Sequence, residues 1–334
     1  MARPQVLFVG GTGVISAACA EQAVEAGFDL FILNRGNSTT RPPPRAAHVL
    51  IADVRDRSSV TRAVAGLEFD VVVDFLAFTP EDVRADMDLF GGRIGQYVFI
   101  SSASAYQTPP KRLPIVESTP LRNPYWQYSR DKIACEDLLV RSYREDGFPA
   151  TIVRPSHTYD RTMVPLHGGW TMIDRMRRGA PIVVHGDGTS PWTLTHSVDF
   201  ARAFVGLLGE SRAVGDSFHI TSDEALTWDQ VAGILAAAAG VEPRVVHVPS
   251  DAVAAVDPEW GASLLGDKAH AMVFDNTKIK RLVPGWAATV PFWRGAREII
   301  EWHDADAAHR RLDMRLEATL DQLVKAFGSE GLAP

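Results

Sequence analysis

The sequence predicts an α/β protein, a doubly wound parallel sheet with a smaller C-terminal domain. Three observations lead there. Over the first half of the 334 residues, short runs of β-branched and aromatic residues alternate with helical patterns. A glycine-rich turn joins the first run to the first helix, and beyond Pro155 the alternation loses its regularity. Residues 5–9, 29–34, 48–53, 70–77, 97–102 and 150–155 read as strands, with helices near 14–26, 57–66, 80–91 and 125–147. The strand runs are apolar almost throughout, as expected of strands covered on both faces.

After Pro155, residues 181–185 read as a short strand, and a helix over 198–209 returns to the first domain. Thr227-Trp228-Asp229-Gln230 is a capping-box pattern that starts an alanine-rich helix ending at Gly240. A strand at His247-Val248-Pro249 and helices over 275–283 and 291–303 follow. Residues 304–327 read as one charged amphipathic helix with Leu312, Leu316, Leu320 and Leu323 on a stripe. That stripe either packs on its own domain or forms the seam of a homodimer. The expected division is a nucleotide-binding domain over 1–160, with about 192–210 added, and a substrate domain over 161–191 and 211–334.

With 46% hydrophobic residues the chain can bury one large core or two modest ones. A net charge of −7 gives no bulk attraction to polyanions, so nucleic-acid partners are disfavoured. Cys19 and Cys135 are too few for a disulfide framework or a metal site and suit a reducing compartment. The first strand begins almost at Met1, with neither a signal pattern nor an apolar span of membrane length, so the expectation is a soluble cytoplasmic protein without a membrane partner.

The chemistry begins at Gly10-Gly11-Thr12-Gly13-Val14-Ile15-Ser16, between the first strand and the first helix. Strand, glycine turn and helix N-terminus together form a dinucleotide cradle: Gly10 permits the turn, Gly13 lets backbone approach a pyrophosphate, and Ser16 is small enough for close helix packing. The second strand ends in Asn34 and Arg35 rather than a carboxylate. A guanidinium there pairs with phosphate, which favours NADP over NAD. Asp53, followed by Val54, stands where it can accept from an adenine amino group. Leu76, Ala77 and Phe78, at the end of the fourth strand, would flank the cofactor, while Asp74 within that strand is expected to bond neighbouring backbone.

Tyr128 and Lys132 are four residues apart in a helical pattern, which places phenol and ammonium on one face. An ammonium beside a phenol favours the phenolate and lowers its ordinary value near ~10, preparing it for proton exchange with an alcohol or ketone.

The glycine turn, Asp53-Val54, Ser101-Ser102-Ala103-Ser104-Ala105-Tyr106, Tyr128-xxx-Lys132 and Arg154-Pro155 resemble, in order and interval, the extended short-chain dehydrogenase/reductase family. The likeness runs from residue 5 to about residue 303. The resemblance implies a Rossmann-type sheet, NADP or NAD as cofactor, and nucleotide-sugar epimerase, dehydratase or reductase chemistry. It assigns Ser102, Tyr128 and Lys132 to catalysis. Ser102 bonds the reacting oxygen, Tyr128 moves the proton and Lys132 holds the nicotinamide ribose. Ser101 and Ser104 offer the same hydroxyl nearby. The implied cofactor contacts are Gly10, Thr12, Gly13, Val14, Ile15, Asn34, Arg35, Asp53, Val54, Leu76, Ala77, Phe78, Ser101, Tyr128, Lys132 and Pro155.

The substrate contacts expected are Ser102, Ser104, Tyr128, His157 and Trp192. Family epimerases commonly carry Asn where this chain has His157, and nucleotide-sugar enzymes an Arg on the diphosphate where it has Trp192. An indole in place of a bidentate cation removes a phosphate contact and adds a stacking wall. Trp170 could stack on a ring as well, and His167 precedes a Gly-Gly pair that reads as a flexible lid. The expected reaction is hydride transfer at a secondary alcohol or ketone carbon of a sugar-like or nucleoside-like molecule. A decarboxylase or dehydratase would need a further acid or base. Residues 174–188 and 194–196 also resemble the chloroplast stem-loop RNA-binding branch of this superfamily, which leaves a non-catalytic or RNA-binding relative as the alternative.

Overall fold

A computed structural model describes residues 3–328; residues 329–334, included in the expected substrate domain, lie outside the described residues. Six strands follow the sequence reading closely: β1 (Gln5–Val9), β2 (Asp29–Asn34), β3 (His48–Ile51), β4 (Val71–Asp74), β5 (Gln96–Ile100) and β6 (Ala150–Pro155). Between them run α1 (Val14–Glu25), α2 (Arg57–Ala63), α3 (Pro80–Phe90) and α4 (Gln127–Asp146). All pair in parallel, in the order β6-β5-β4-β1-β2-β3, with Val6 opposite Val71 and Val9 opposite Asp74. The chain therefore reverses direction across the sheet at β1 and β4, which opens a crevice at their carboxyl ends.

Alternation along β1 shows why its run is apolar throughout. Val6 and Phe8 join a cluster with Cys19, Ala20 and Phe204, while Leu7 and Val9 join another with Phe31, Cys135 and Leu139. Each cysteine is thus a small buried apolar group, one on each side of the sheet.

A seventh strand, Ser217–Ile220, extends the sheet beside β6 and was absent from the sequence reading. Its four residues include His219, a polar residue in a position that an apolar pattern assigns to core. His219 is fully buried because Tyr106 Oη bonds its Nδ1 at 3.0 Å and the Asp275 carbonyl its Nε2 at 2.8 Å.

The C-terminal elements bury a third cluster that includes Trp170, Ile173, Trp192, Trp228, Leu235 and Ile299. The strand at Ile182–His185 and the capping box at Thr227 form as expected. The long terminal helix does not. One helix runs Phe292–Ala305, and a new one, Met314–Phe327, starts where Asp313 accepts from the Arg315 and Leu316 amides. Leu312 falls before that cap and is 49% exposed, whereas Leu316, Leu320 and Leu323 are buried within the same chain's core. The stripe is occupied internally and offers no seam to a second copy. Among the described residues no helix is long and apolar enough to cross a membrane.

Candidate active site

The crevice at the β1–β4 reversal is a cleft of about 820 Å³. Its floor is the glycine turn. Gly10 and Gly11 adopt φ of +107° and +106°, and a Cβ on Gly11 would lie 2.7 Å from Ile32 Cγ2. No side chain fits there, so backbone amides face the cleft unshielded. Ser16 does more than stay small: its Oγ accepts from the Gly13 amide at 2.8 Å and ties the turn to the first turn of α1. That first turn carries no acidic residue, so the positive end of the helix meets the cleft uncompensated. This arrangement fits a dinucleotide pyrophosphate.

Each of the sixteen residues that the resemblance implies for the cofactor lines this cleft. Gly11 lines it too, and the sequence reading passed over it although the Gly-Gly pair was visible. Arg35 stands exposed at the end of β2 and makes no ion pair among the described residues. Asp74 behaves as expected, accepting from the Leu76 amide and, at 2.7 Å, from the Ala77 amide, so its carboxylate shapes the turn that carries Ala77 and Phe78.

A second, smaller pocket of about 230 Å³ opens beside the end of the cleft that carries Tyr128 and is lined by Ser102, Ser104, Trp126, His157 and Trp192. Tyr128, Pro155 and Thr158 line both cavities, which places the phenol at their junction. Its ring lies between Phe78, with centroids 6.3 Å apart, and Trp126, at 4.8 Å. Ser102 Oγ and Ser104 Oγ are 2.9 Å apart, and Ser129 Oγ donates to Ser104 at 2.7 Å. Ser101 is occupied elsewhere, its hydroxyl donating to buried Glu136 at 2.5 Å. Of the three adjacent serines, Ser102 and Ser104 therefore face the pocket and Ser101 the cleft.

The expected lowering of the phenol is corrected by the structure. Burial pushes Tyr128 up to about 12, only partly opposed by the Ser102 hydroxyl, and nearby Asp267 pushes the same way. Lys132 Nζ lies 5.8 Å from the Tyr128 ring centroid but makes no hydrogen bond to the phenolic oxygen; it donates to the carbonyls of Ala77 at 2.7 Å and Ile100 at 2.8 Å. The ammonium lies 4.6 Å from the Phe78 ring centroid and 4.8 Å from that of Phe99. Burial lowers Lys132 to about 8, against the raising influence of Cys135, Asp74, Asp82 and Glu136.

Two other expectations fall away. Trp170 stacks on His303 at 4.6 Å in the core and lines neither cavity, because its face is covered by its own chain. The segment read as a lid is packed: His167 stacks on Trp260 at 4.3 Å, and a Cβ at Gly168 would lie 1.9 Å from Leu316 Cδ2. The sequence reading missed Asp267 and Lys268, which line the smaller pocket from a π-helical turn, Leu264–Lys268. Such turns often mark functional sites, but nothing in residue spacing announces one.

A family model for the NAD-dependent epimerase/dehydratase family matches residues 87–221. The chain is 26% identical over 293 residues to a 2'-dehydrokanamycin reductase of Streptomyces kanamyceticus, covering 84% of this chain and 80% of the relative. It is 30% identical over 232 residues to a UDP-glucose 4-epimerase of Streptomyces lividans, covering 59% and 69%. Similarity to the Arabidopsis thaliana chloroplast stem-loop binding protein of 41 kDa b is 27% over 256 residues, covering 73% and 65%. Among solved structures, the epimerase Mth375 of Methanothermobacter thermautotrophicus superposes with a TM-score of 0.75 at 17% identity, covering 92% of this chain and 94% of that one.

Proposed function

Because the chain belongs to the NAD-dependent epimerase/dehydratase family, we propose that it moves hydride at a secondary alcohol or ketone carbon of a sugar-like or nucleoside-like molecule. The observation that carries this reading is Tyr128, whose side chain borders both the dinucleotide cleft and the smaller pocket. A nicotinamide bound in the cleft supplies or accepts the hydride. Tyr128 gives or takes the proton at its phenolic oxygen, and Ser102 donates a hydrogen bond to the same substrate oxygen. Lys132, held between two carbonyls at the nicotinamide end, orients the ribose. This reading gives residues 1–160, about 192–210 and the sheet strand Ser217–Ile220 to the dinucleotide, and residues 161–191 with the rest of 211–328 to the substrate.

Arg35, unpaired at the rim, supports NADP(H) and hence a reductase that releases its cofactor each cycle. Arg35→Ala is expected to weaken NADPH about 10- to 100-fold, the range of a charge-assisted hydrogen bond, and to leave NADH unchanged. Nicotinamide fluorescence titration of both cofactors checks it. The function itself is tested by supplying NADPH with a panel of keto sugars and following nicotinamide absorbance. A chain that binds neither NAD(H) nor NADP(H) overturns the reading, and NAD copurifying tightly with the protein would move it from reductase to epimerase.

The stem-loop binding relative supports a second reading, contact with RNA. The arginines of the segment that resembles this relative are already engaged in this chain: Arg175 with Glu317 and Asp321, Arg177 with Asp304, and Arg178 with Asp174 and Glu317. A salt-sensitive RNA gel shift at physiological ionic strength would revive it.

A further inference from the structure

Buried hydrogen-bonding atoms without partners are rare, and each one calls for an explanation. Trp192 Nε1 and His157 Nε2 are two such atoms, and both residues line the 230 Å³ pocket beside Tyr128. Trp192 is only 2% exposed, so its N–H has no access to bulk water. The pocket also receives Asp267 and Lys268, with Lys268 Nζ 3.2 Å from Asp267 Oδ2. Asp267 Oδ1 accepts no hydrogen bond among the described residues.

Three features of this lining bear on phosphate. Lys268 is the only cation in it, and its charge is already balanced by Asp267. A diphosphate drawn out of water needs paired cations or several donors to replace its hydration. The volume is also below the about 300 to 1,000 Å³ usual for small-molecule sites, which suits a single ring. Burial, helped by Lys268, brings His157 down to about 3, so the ring meets its ligand neutral, as donor or acceptor according to tautomer.

We propose that this pocket selects a phosphate-free, hydroxyl- or amino-bearing ring of monosaccharide size, which accepts from Trp192 Nε1, bonds His157 Nε2 and donates to Asp267. The inference rests on the hydride-transfer reading and names the substrate class for it. Phosphate-free glycosides enter, and a nucleoside diphosphate does not contribute to binding. Trp192→Phe removes the unpaired N–H but leaves a void beside Trp228, so the free protein is expected to melt somewhat below the parent, and the test is read from sugar affinity in the folded, NADP⁺-bound variant.

The test is calorimetric titration of the NADP⁺-saturated protein with glucosamine, methyl glucoside, UDP and UDP-glucose. Glucosamine or methyl glucoside is expected to bind, UDP to compete with neither, and Trp192→Phe and Asp267→Asn each to weaken the sugar about tenfold. The inference is overturned if UDP-glucose binds at least as tightly as both simple sugars through UDP itself, if Trp192→Phe leaves sugar affinity unchanged, or if none of the four probes binds. A protein that binds NADP⁺ and prefers UDP-glucose sinks this inference alone, whereas one that binds no dinucleotide sinks the reading beneath it.

Discussion

Replacing Tyr128 with phenylalanine should lower turnover about 10²- to 10⁴-fold, the usual contribution of a positioned general acid or base, while dinucleotide affinity stays within about twofold. The asymmetry follows from position. The phenol is one wall among many in the 820 Å³ cleft, but with Pro155 and Thr158 it borders both the cleft and the pocket holding Ser102. The ring contacts with Phe78 and Trp126 survive the change, so the local packing is kept and the lost oxygen is isolated. The pH dependence sharpens the same test. In the free protein Tyr128 stays protonated up to about 12, which suits it as the acid of a reduction. Lys132 loses its proton near 8, because burial disfavours the ammonium. The reductive kcat/KM, which reports groups of the free enzyme, is therefore expected to be flat below pH 8 and to fall above it. Stability moves the other way: the native state holds fewer protons on Lys132 than the unfolded chain between about 8 and the ordinary lysine value of 10.5, so this group makes the fold more stable as pH rises through that window. Turnover undiminished in Tyr128→Phe, or an alkaline limb absent from the rate profile, would refute the assigned proton path.

Much of this site was legible because a doubly wound sheet turns linear order into spatial order. Each strand end in the first 155 residues delivers its loop to the same edge, so Gly10, Arg35, Asp53 and Ala77 converge although they are far apart in sequence. Helical spacing did the rest for Tyr128 and Lys132. Charge state was not legible, since spacing says nothing about burial. The ammonium expected to activate the phenol is held by two carbonyls, and desolvation raises the phenol instead of lowering it. The strand at Ser217–Ile220 escaped notice because its buried His219 is satisfied by Tyr106 and Asp275, partners found only in three dimensions. Asp267 and Lys268 escaped for a related reason: they reach the pocket from a π-helical turn about 140 residues downstream of Tyr128, with no periodic signal to mark it.

The same polar interior makes the second large prediction, on stability. Arg154 and Glu136 form an ion pair whose side chains are 6% and 2% exposed, with Arg154 Nη2 2.5 Å from Glu136 Oε2. The pair is part of a longer chain. Ser101 donates to Glu136, and Arg154 Nη1 donates to Tyr106 Oη at 3.1 Å and the Glu117 carbonyl at 3.2 Å, with Tyr106 bonded in turn to His219. Glu136 and Tyr106 both hold the guanidinium in its charged form, against the cost of burial. Glu136→Ala leaves that guanidinium buried without its carboxylate and is expected to cost about 3–5 kcal/mol, a large part of the about 5–15 kcal/mol that keeps a domain folded. Urea denaturation, compared at equal m-value, reads the loss directly. The mechanism predicts a rescue. In the double variant Glu136→Leu with Arg154→Met both charges leave together, and the penalty for stranding one of them disappears, so its midpoint should lie well above that of Glu136→Ala. The folded fraction of Glu136→Ala should also bind dinucleotide less tightly, because Ser101 loses its anchor at the end of β5, where the cleft and the pocket meet. A Glu136→Ala midpoint within about 1 kcal/mol of the parent, or a double variant no better than the single one, would mean that Arg154 is solvated by the surrounding carbonyls and that the pair does not hold this end of the sheet.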